Sequence, residues 1–198
     1  MVRRGGGVED IRIRRLNEEM IVVELLVNVC ESMGANIVNT IAENTAPYIQ
    51  KILKQGRVAL RILSNLCTER LTMAKFSIPV KDLAWKNLSG KDVAERIIEA
   101  YKFAELDQYR ATTHNKGIMN GIDAVALALG QDWRAIESAA HSYASLGRRY
   151  MPLSKYEIIG DTFHGRLELP IAVGTKGGAI ETNPSYINTH SIMNFPSS

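Results

Sequence analysis

Apolar and charged positions alternate near the start of the chain. Val8, Ile11, Ile13 and Leu16 are separated by charged neighbours, which predicts a strand after the glycine-rich entry Gly5-Gly6-Gly7. Asn17-Glu18-Glu19 supplies a tight connection, and residues 20–29, rich in β-branched side chains, predict a second and more buried strand. The two read as a hairpin. From Gly34-Ala35 the period changes: Val38, Ile41, Ala42, Thr45, Ile49, Ile52 and Leu53 recur at helical spacing. Pro47 predicts a kink or break in that helix, and Gly56 closes it. Val58, Leu60 and Ile62 alternate again and predict a third strand. Phe76, Ile78 and Val80 predict a fourth, with Pro79 marking its edge.

The second half is mainly helical. Ser89-Gly90-Lys91-Asp92 leads into a helix carrying Val93, Ile97, Ile98, Tyr101 and Ala104. A further helix is predicted after Asn115, with Ile118, Ile122, Val125, Ala126 and Leu129 on one face. Gly130-Gln131-Asp132 breaks it, and Asp132 is placed to N-cap a third helix that buries Trp133, Ile136, Ala140 and Tyr143. Residues 157–159 and 167–173 return to strand. The polar stretch 182–198 predicts an irregular tail. These elements give an α+β class: a small α+β domain over residues 5–80, part of a larger helix-rich mixed domain over 81–180, and a tail over 181–198.

Composition narrows the classes. An apolar fraction of 45% and a charged fraction of 23% are enough for a folded core. The formal charge is only +3, and the basic clusters at Arg3-Arg4, Arg12–Arg15 and Arg148-Arg149 are not interleaved with aromatics, so no nucleic-acid partner is expected. Met1-Val2-Arg3-Arg4 leads into glycines, not into an apolar leader. The densest apolar run, 20–29, contains Glu24 and Asn28 and is too short for a bilayer, so no membrane association is expected. Cys30 and Cys67 lack metal-ligand spacing and read as reduced thiols of a cytoplasmic protein; no metal site is expected.

Four stretches stand apart from plain core or surface. Glu31-Ser32-Met33-Gly34-Ala35-Asn36 is a small-residue turn opening a helix. It suits a phosphate or pyrophosphate at the helix N-terminus, or it is a turn capped by Ser32. It is not the glycine fingerprint of the doubly wound dinucleotide fold. Residues 110–121 place Arg110, His114, Lys116 and Asn120 in one turn and the start of a helix, with Lys116 and Asn120 four apart on one face. A lysine there can polarise a carbonyl and an arginine can clamp a carboxylate; the alternative is a solvated helix start. Asp132 can orient Lys116 or simply cap its helix. Gly174-Thr175-Lys176-Gly177-Gly178-Ala179 is a glycine-rich turn after an apolar strand, open to a substrate or without special use.

In order along the chain, Gly5-Gly6-Gly7 to Ile11, Met33-Gly34-Ala35-Asn36 with Asn39-Thr40, and Arg61 to Leu66 are followed by Thr113-His114-Asn115-Lys116-Gly117-Ile118-Met119-Asn120-Gly121, then Gly130 to Glu137 and Ala172 to Thr175. This series resembles the class II HMG-CoA (3-hydroxy-3-methylglutaryl-CoA) reductases over roughly residues 5–180. The resemblance implies a ferredoxin-like small cofactor-binding domain inserted in a larger one, and reduction of HMG-CoA to mevalonate with NADH or NADPH. It implies that Lys116 polarises the thioester carbonyl and that Asp132 holds Lys116. It also implies that Arg110 and Asn120 bind the HMG moiety. Glu31, Met33, Gly34, Ala35 and Asn36, with Asn65, would contact the dinucleotide. A homodimer or a complementing chain is expected.

Three departures follow from the same resemblance. The family's turn begins with aspartate and alanine, where this chain has Glu31-Ser32. Lys176 stands where the family has a small apolar residue. The family's catalytic glutamate and histidine lie in segments outside the matching residues, so the chain is expected to be catalytically incomplete alone, with a split reductase or a non-catalytic remnant as the alternative.

Overall fold

The structure is a computed structural model and describes residues 2–147 and 149–194. Arg148 of the Arg148-Arg149 cluster and residues 195–198 of the expected tail lie outside the described residues. The chain divides into two compact units, residues 1–64 with 173–198 and residues 65–172.

In the first unit, β1 (Gly7–Arg15) and β2 (Ile21–Asn28) form the expected antiparallel hairpin, with an irregularity between Val8 and Asp10. Helix α1 (Ala35–Leu53) follows. Its N-cap is Gly34 at φ +98°, and a Cβ there would meet Val29 Cγ1 at 2.6 Å, so glycine is required at this turn. The N-cap position is thus Gly34 and not Ser32. The helix runs through Pro47 without a break, because a missing N–H removes one i→i−4 bond while the neighbouring turns keep theirs. Among the described residues of this unit Ala46 is the buried apolar side chain, while Leu60 and Ile62 are exposed.

The third strand expected at residues 58–63 does not form. Its side chains alternate as a strand requires, but among the described residues the sheet of this unit holds only β1 and β2. A strand needs a partner's edge as well as a pattern. Leu63 N–H instead donates to Asn39 Oδ1 at 2.8 Å. The fourth expected strand, β3 (Leu71–Pro79), belongs to the second unit, so four strands do not come together in residues 5–80. The structure is α+β, with the chain divided after Ser64 and after Ala172.

The second unit packs a three-stranded antiparallel sheet with three helices. β4 (Ser154–Ile159) and β5 (Thr162–Pro170) form a hairpin and β3 adds to β5, giving the order β3-β5-β4. Helix α2 (Gly90–Leu106) starts with a capping box between Ser89 and Asp92. Gly90 abuts the Val80 carbonyl so closely that no Cβ fits. Asp107 ends α2 and caps α3 (Gln108–Ala128), its side chain accepting from Arg110 N–H at 2.8 Å. That cap starts α3 at Gln108, well before Asn115, so residues 110–121 run from the first turn of the helix into its middle. Asp132 caps α4 (Trp133–Ala144) as expected. The core is built from Ala94 and Ala104 of α2, Ala111 and Met119 of α3, Ile136 and Ala140 of α4, and Phe163 and Leu169 of β5. Trp133 stays 37% exposed.

Two short helices, α5 (Ala179–Thr182) and α6 (Pro184–Ile192), occupy the stretch expected to be irregular. Asn183 caps α6, accepting from Ser185 N–H, and Pro184 takes the first helical position. These local signals outweigh the lack of an apolar stripe. Among the described residues no helix is long and apolar enough to cross a membrane.

Candidate functional site

In the first unit the two glycine-bearing turns meet. Thr175 N–H donates to the Glu31 carbonyl at 2.9 Å, and Lys176 Nζ lies 3.0 Å from Glu31 Oε2. Gly174 packs against the backbone of Ser32 and Met33 so closely that a Cβ would strike the Met33 nitrogen. Glycine is needed here for close approach of two backbones. The sequence picks out both turns but not their contact.

This junction stands at the start of α1, a helix of 19 residues. A helix start carries N–H groups without intrahelical partners and a partial positive charge. With glycine as the N-cap, the start of α1 has the donor set an anionic phosphate needs. The residues present therefore fit a pyrophosphate-bearing cofactor. Glu31, Met33, Gly34, Ala35 and Asn36 all belong to this turn and helix start. Asn65 belongs to the second unit.

In the second unit, α3 presents two unlike faces. Ala111, Asn115, Met119 and Ala126 are buried. Asn115 is fully buried; its amide donates to the Met151 carbonyl at 2.9 Å, and its Oδ1 accepts from Leu153 N–H at 2.9 Å. This clamps α3 to the chain entering β4. His114 Nε2 lies 2.6 Å from Ser154 Oγ. Burial, and then the Arg110 guanidinium, push the His114 imidazole below its usual range.

The opposite face is open. Lys116 and Asn120 are exposed one turn apart, and a Cβ at Gly117 or Gly121 would meet nothing within 4 Å. A planar or carbonyl-bearing ligand can therefore approach this face closely. Arg110 is half-buried on the same helix. Asp132 is exposed and its Oδ1 accepts from Ala135 N–H at 3.0 Å. Lys116 and Asp132 are not joined by an ion pair in this chain, and neither is buried. Asp132 Oδ1 is engaged in the cap of its own helix, and Lys116 is exposed on α3.

Sequence reasoning missed Asn115 as a support. The signal is a polar residue set at four-residue intervals among Ala111 and Met119. It also missed the group formed by Asp123, Glu137 and His141. His141 Nδ1 lies 2.7 Å from the Tyr150 hydroxyl, and its Nε2 is 3.8 Å from Glu137.

Known proteins agree with this architecture. The chain is 47% identical over 188 residues to the 3-hydroxy-3-methylglutaryl-coenzyme A reductase of Archaeoglobus fulgidus, covering 93% of this chain and 42% of that one. It is 38% identical over 196 residues to a probable 3-hydroxy-3-methylglutaryl-coenzyme A reductase of Borreliella burgdorferi, covering 98% of this chain and 45% of that protein. The chain thus spans less than half the length of these curated relatives. Its fold matches the class II enzyme of Streptococcus pneumoniae, solved bound to NADPH in open conformations, with a TM-score of 0.92 and 42% identity. That match covers 99% of this chain and 48% of the other. The family described as hydroxymethylglutaryl-coenzyme A reductase matches residues 1–198, and with the fold and the ordered motifs in agreement, the chain belongs to that family.

Proposed function

We propose that this chain carries the dinucleotide turn and the carbonyl-polarising helix face of an HMG-CoA reductase, which converts HMG-CoA to mevalonate and CoA with NADH or NADPH. The observation that carries the reading is the open face of α3. Lys116 and Asn120 stand one turn apart beside Gly117 and Gly121, while buried Asn115 fixes the helix from behind.

The roles follow from the chemistry. Glu31, Met33, Gly34, Ala35 and Asn36 would hold the dinucleotide at the start of α1, with Asn65 as a further contact. When bound, the nicotinamide supplies the two hydrides. Arg110 grips the carboxylate of the HMG group, since a guanidinium matches it in two-pronged fashion. Asn120 adds a hydrogen bond. Lys116 places a positive charge at the thioester oxygen, where negative charge develops in both reductions. Asp132 orients Lys116 once a substrate covers this face and lowers the local dielectric.

The same reading makes the assembly a homodimer or a complex with a complementing chain. Exposed Ile52, Leu60 and Ile62 of the first unit support this, as apolar surface that a partner would cover. The free thiols of Cys30 and Cys67 fit a cytoplasmic setting. A second reading, a subunit of a split reductase or a non-catalytic remnant, is favoured by the exposure of both Lys116 and Asp132 in this chain.

The test is HMG-CoA-dependent oxidation of NADH and NADPH by the 198-residue chain, beside dinucleotide binding followed by nicotinamide fluorescence. Binding, with turnover that disappears in Lys116→Ala, supports the reductase. Binding without turnover until a companion chain is added supports the split enzyme. Turnover undiminished in Lys116→Ala overturns the role given to that lysine, and absence of binding leaves the remnant.

A further inference from the structure

Lys75, Arg166 and Lys155 occupy one row across the sheet of the second unit. Lys75 of β3 is the register partner of Arg166 of β5, and Arg166 is the partner of Lys155 of β4. Register partners point to the same face, with neighbouring strands about 5 Å apart. All three residues are exposed, so three cations stand side by side. Like charges directly opposite one another disfavour a sheet.

The strands cannot relieve this by slipping. The other face carries the packed rings of Phe76, Tyr156 and Phe163, with centroids 5.8–6.4 Å apart. A one-residue shift would turn those rings to solvent. Nearby acids leave the row positive. Glu168 pairs with Arg166 and accepts from the Tyr143 hydroxyl at 3.1 Å. Glu157 lies in the adjacent row as the partner of His164, and His164 Nδ1 is 2.8 Å from Ser77 Oγ. Among the described residues, Lys75 and Lys155 form no ion pair.

A cavity of about 400 Å³ opens beside the row. Lys155, Arg166 and Glu168 line one side, and Tyr143, Leu146 and Met151 line another. We propose that the cavity and the cationic row together form a site for a small molecule bearing a phosphate or pyrophosphate group. The phosphate lies across the row and offsets the lysine repulsion, while Glu168 stays with Arg166. The remainder of the ligand enters the cavity against Leu146 and Met151. This site lies on β3, β4 and β5, apart from the open face of α3, and does not depend on the reductase reading.

The test is a titration of the ¹⁵N-labelled 198-residue chain with inorganic pyrophosphate at constant ionic strength, which keeps screening fixed. Saturable amide shifts at residues 75, 143–155 and 166 are expected. Lys75→Gln and Lys155→Gln should each weaken binding about tenfold, the loss of one charge-assisted hydrogen bond. Lys155→Arg should keep it. Parallel titrations with ADP and coenzyme A identify the source of the phosphate, the tighter ligand naming it. Absence of saturable shifts on these strands, or an affinity in both glutamine variants unchanged from that of the unsubstituted chain, overturns the site. Displacement of pyrophosphate by an RNA oligonucleotide with steep salt dependence overturns the small-molecule assignment.

Discussion

Lys176 Nζ lies 3.0 Å from Glu31 Oε2, and one residue earlier Thr175 N–H donates to the Glu31 carbonyl at 2.9 Å. Glu31 and Lys176, two of the residues at which the sequence was expected to depart from the pattern it resembles, are therefore partners. Lys176 offsets the carboxylate that Glu31 brings to the start of α1, where an anionic cofactor would otherwise meet unpaired negative charge. The side chains are 43% and 64% exposed, which limits the pair to about 0.2–1 kcal/mol. Lys176→Met should weaken NADPH binding about two- to fivefold. Adding Glu31→Gln to that variant should recover most of the loss. Fluorescence titration of the single and double variants checks this; independent, additive effects would show that the pair does not act on the cofactor.

Asn115 and Lys116 are neighbours with opposite duties. Replacing Asn115 by leucine keeps the volume but strips partners from the Met151 carbonyl and the Leu153 N–H, and should cost about 2–4 kcal/mol. Lys116→Met touches only the exposed face and should change stability by less than about 0.5 kcal/mol. Urea unfolding of the two variants separates support from chemistry.

His114 links stability to pH. Burial, then the Arg110 guanidinium, lowers its affinity for a proton below the ordinary value of 6.5. Between the lowered folded value and 6.5 the unfolded chain binds more protons than the folded one. The stability from this group is therefore complete above 6.5 and is lost as pH falls through that window. His114→Gln should flatten the pH dependence measured by chemical denaturation. A carboxylate bound at Arg110 should move the His114 titration upward in NMR, because it cancels part of the guanidinium charge.

Asp123 has the opposite sign. Its Oδ1 is buried without a hydrogen-bond partner. Burial, then Glu137, raises its carboxyl above the usual range, with His141 opposing. The folded state holds this proton more tightly, so the stability it contributes is present on the acid side and lost as pH rises through the folded value. Asp123→Asn should raise stability at neutral pH by about 1 kcal/mol and have little effect in acid, where the aspartate is already neutral. Thermal unfolding at the two pH values checks it.

The hairpin of β1 and β2, helix α1, and the Asp132 cap were legible because each rests on nearby residues. Alternation within a strand, repeats of three and four within a helix, and a cap bond to the third residue on are all short-range. The run from Thr113 to Gly121 was recognisable as letters, and its helix face was read correctly. Its position inside α3 was not, because the start of that helix depends on the Asp107 cap at the junction with α2.

By itself the sequence determined which residues favour helix or strand, and that Lys116 and Asn120 share one face. Only the tertiary structure decided that residues 58–63 remain unpaired, that β3 joins β5, and that Glu31 meets Lys176. The reason is physical: a helix closes its hydrogen bonds within its own turns, whereas a strand edge or an ion pair is completed by a segment far away along the chain. Which segment arrives there depends on how the whole chain packs, and no local pattern encodes that.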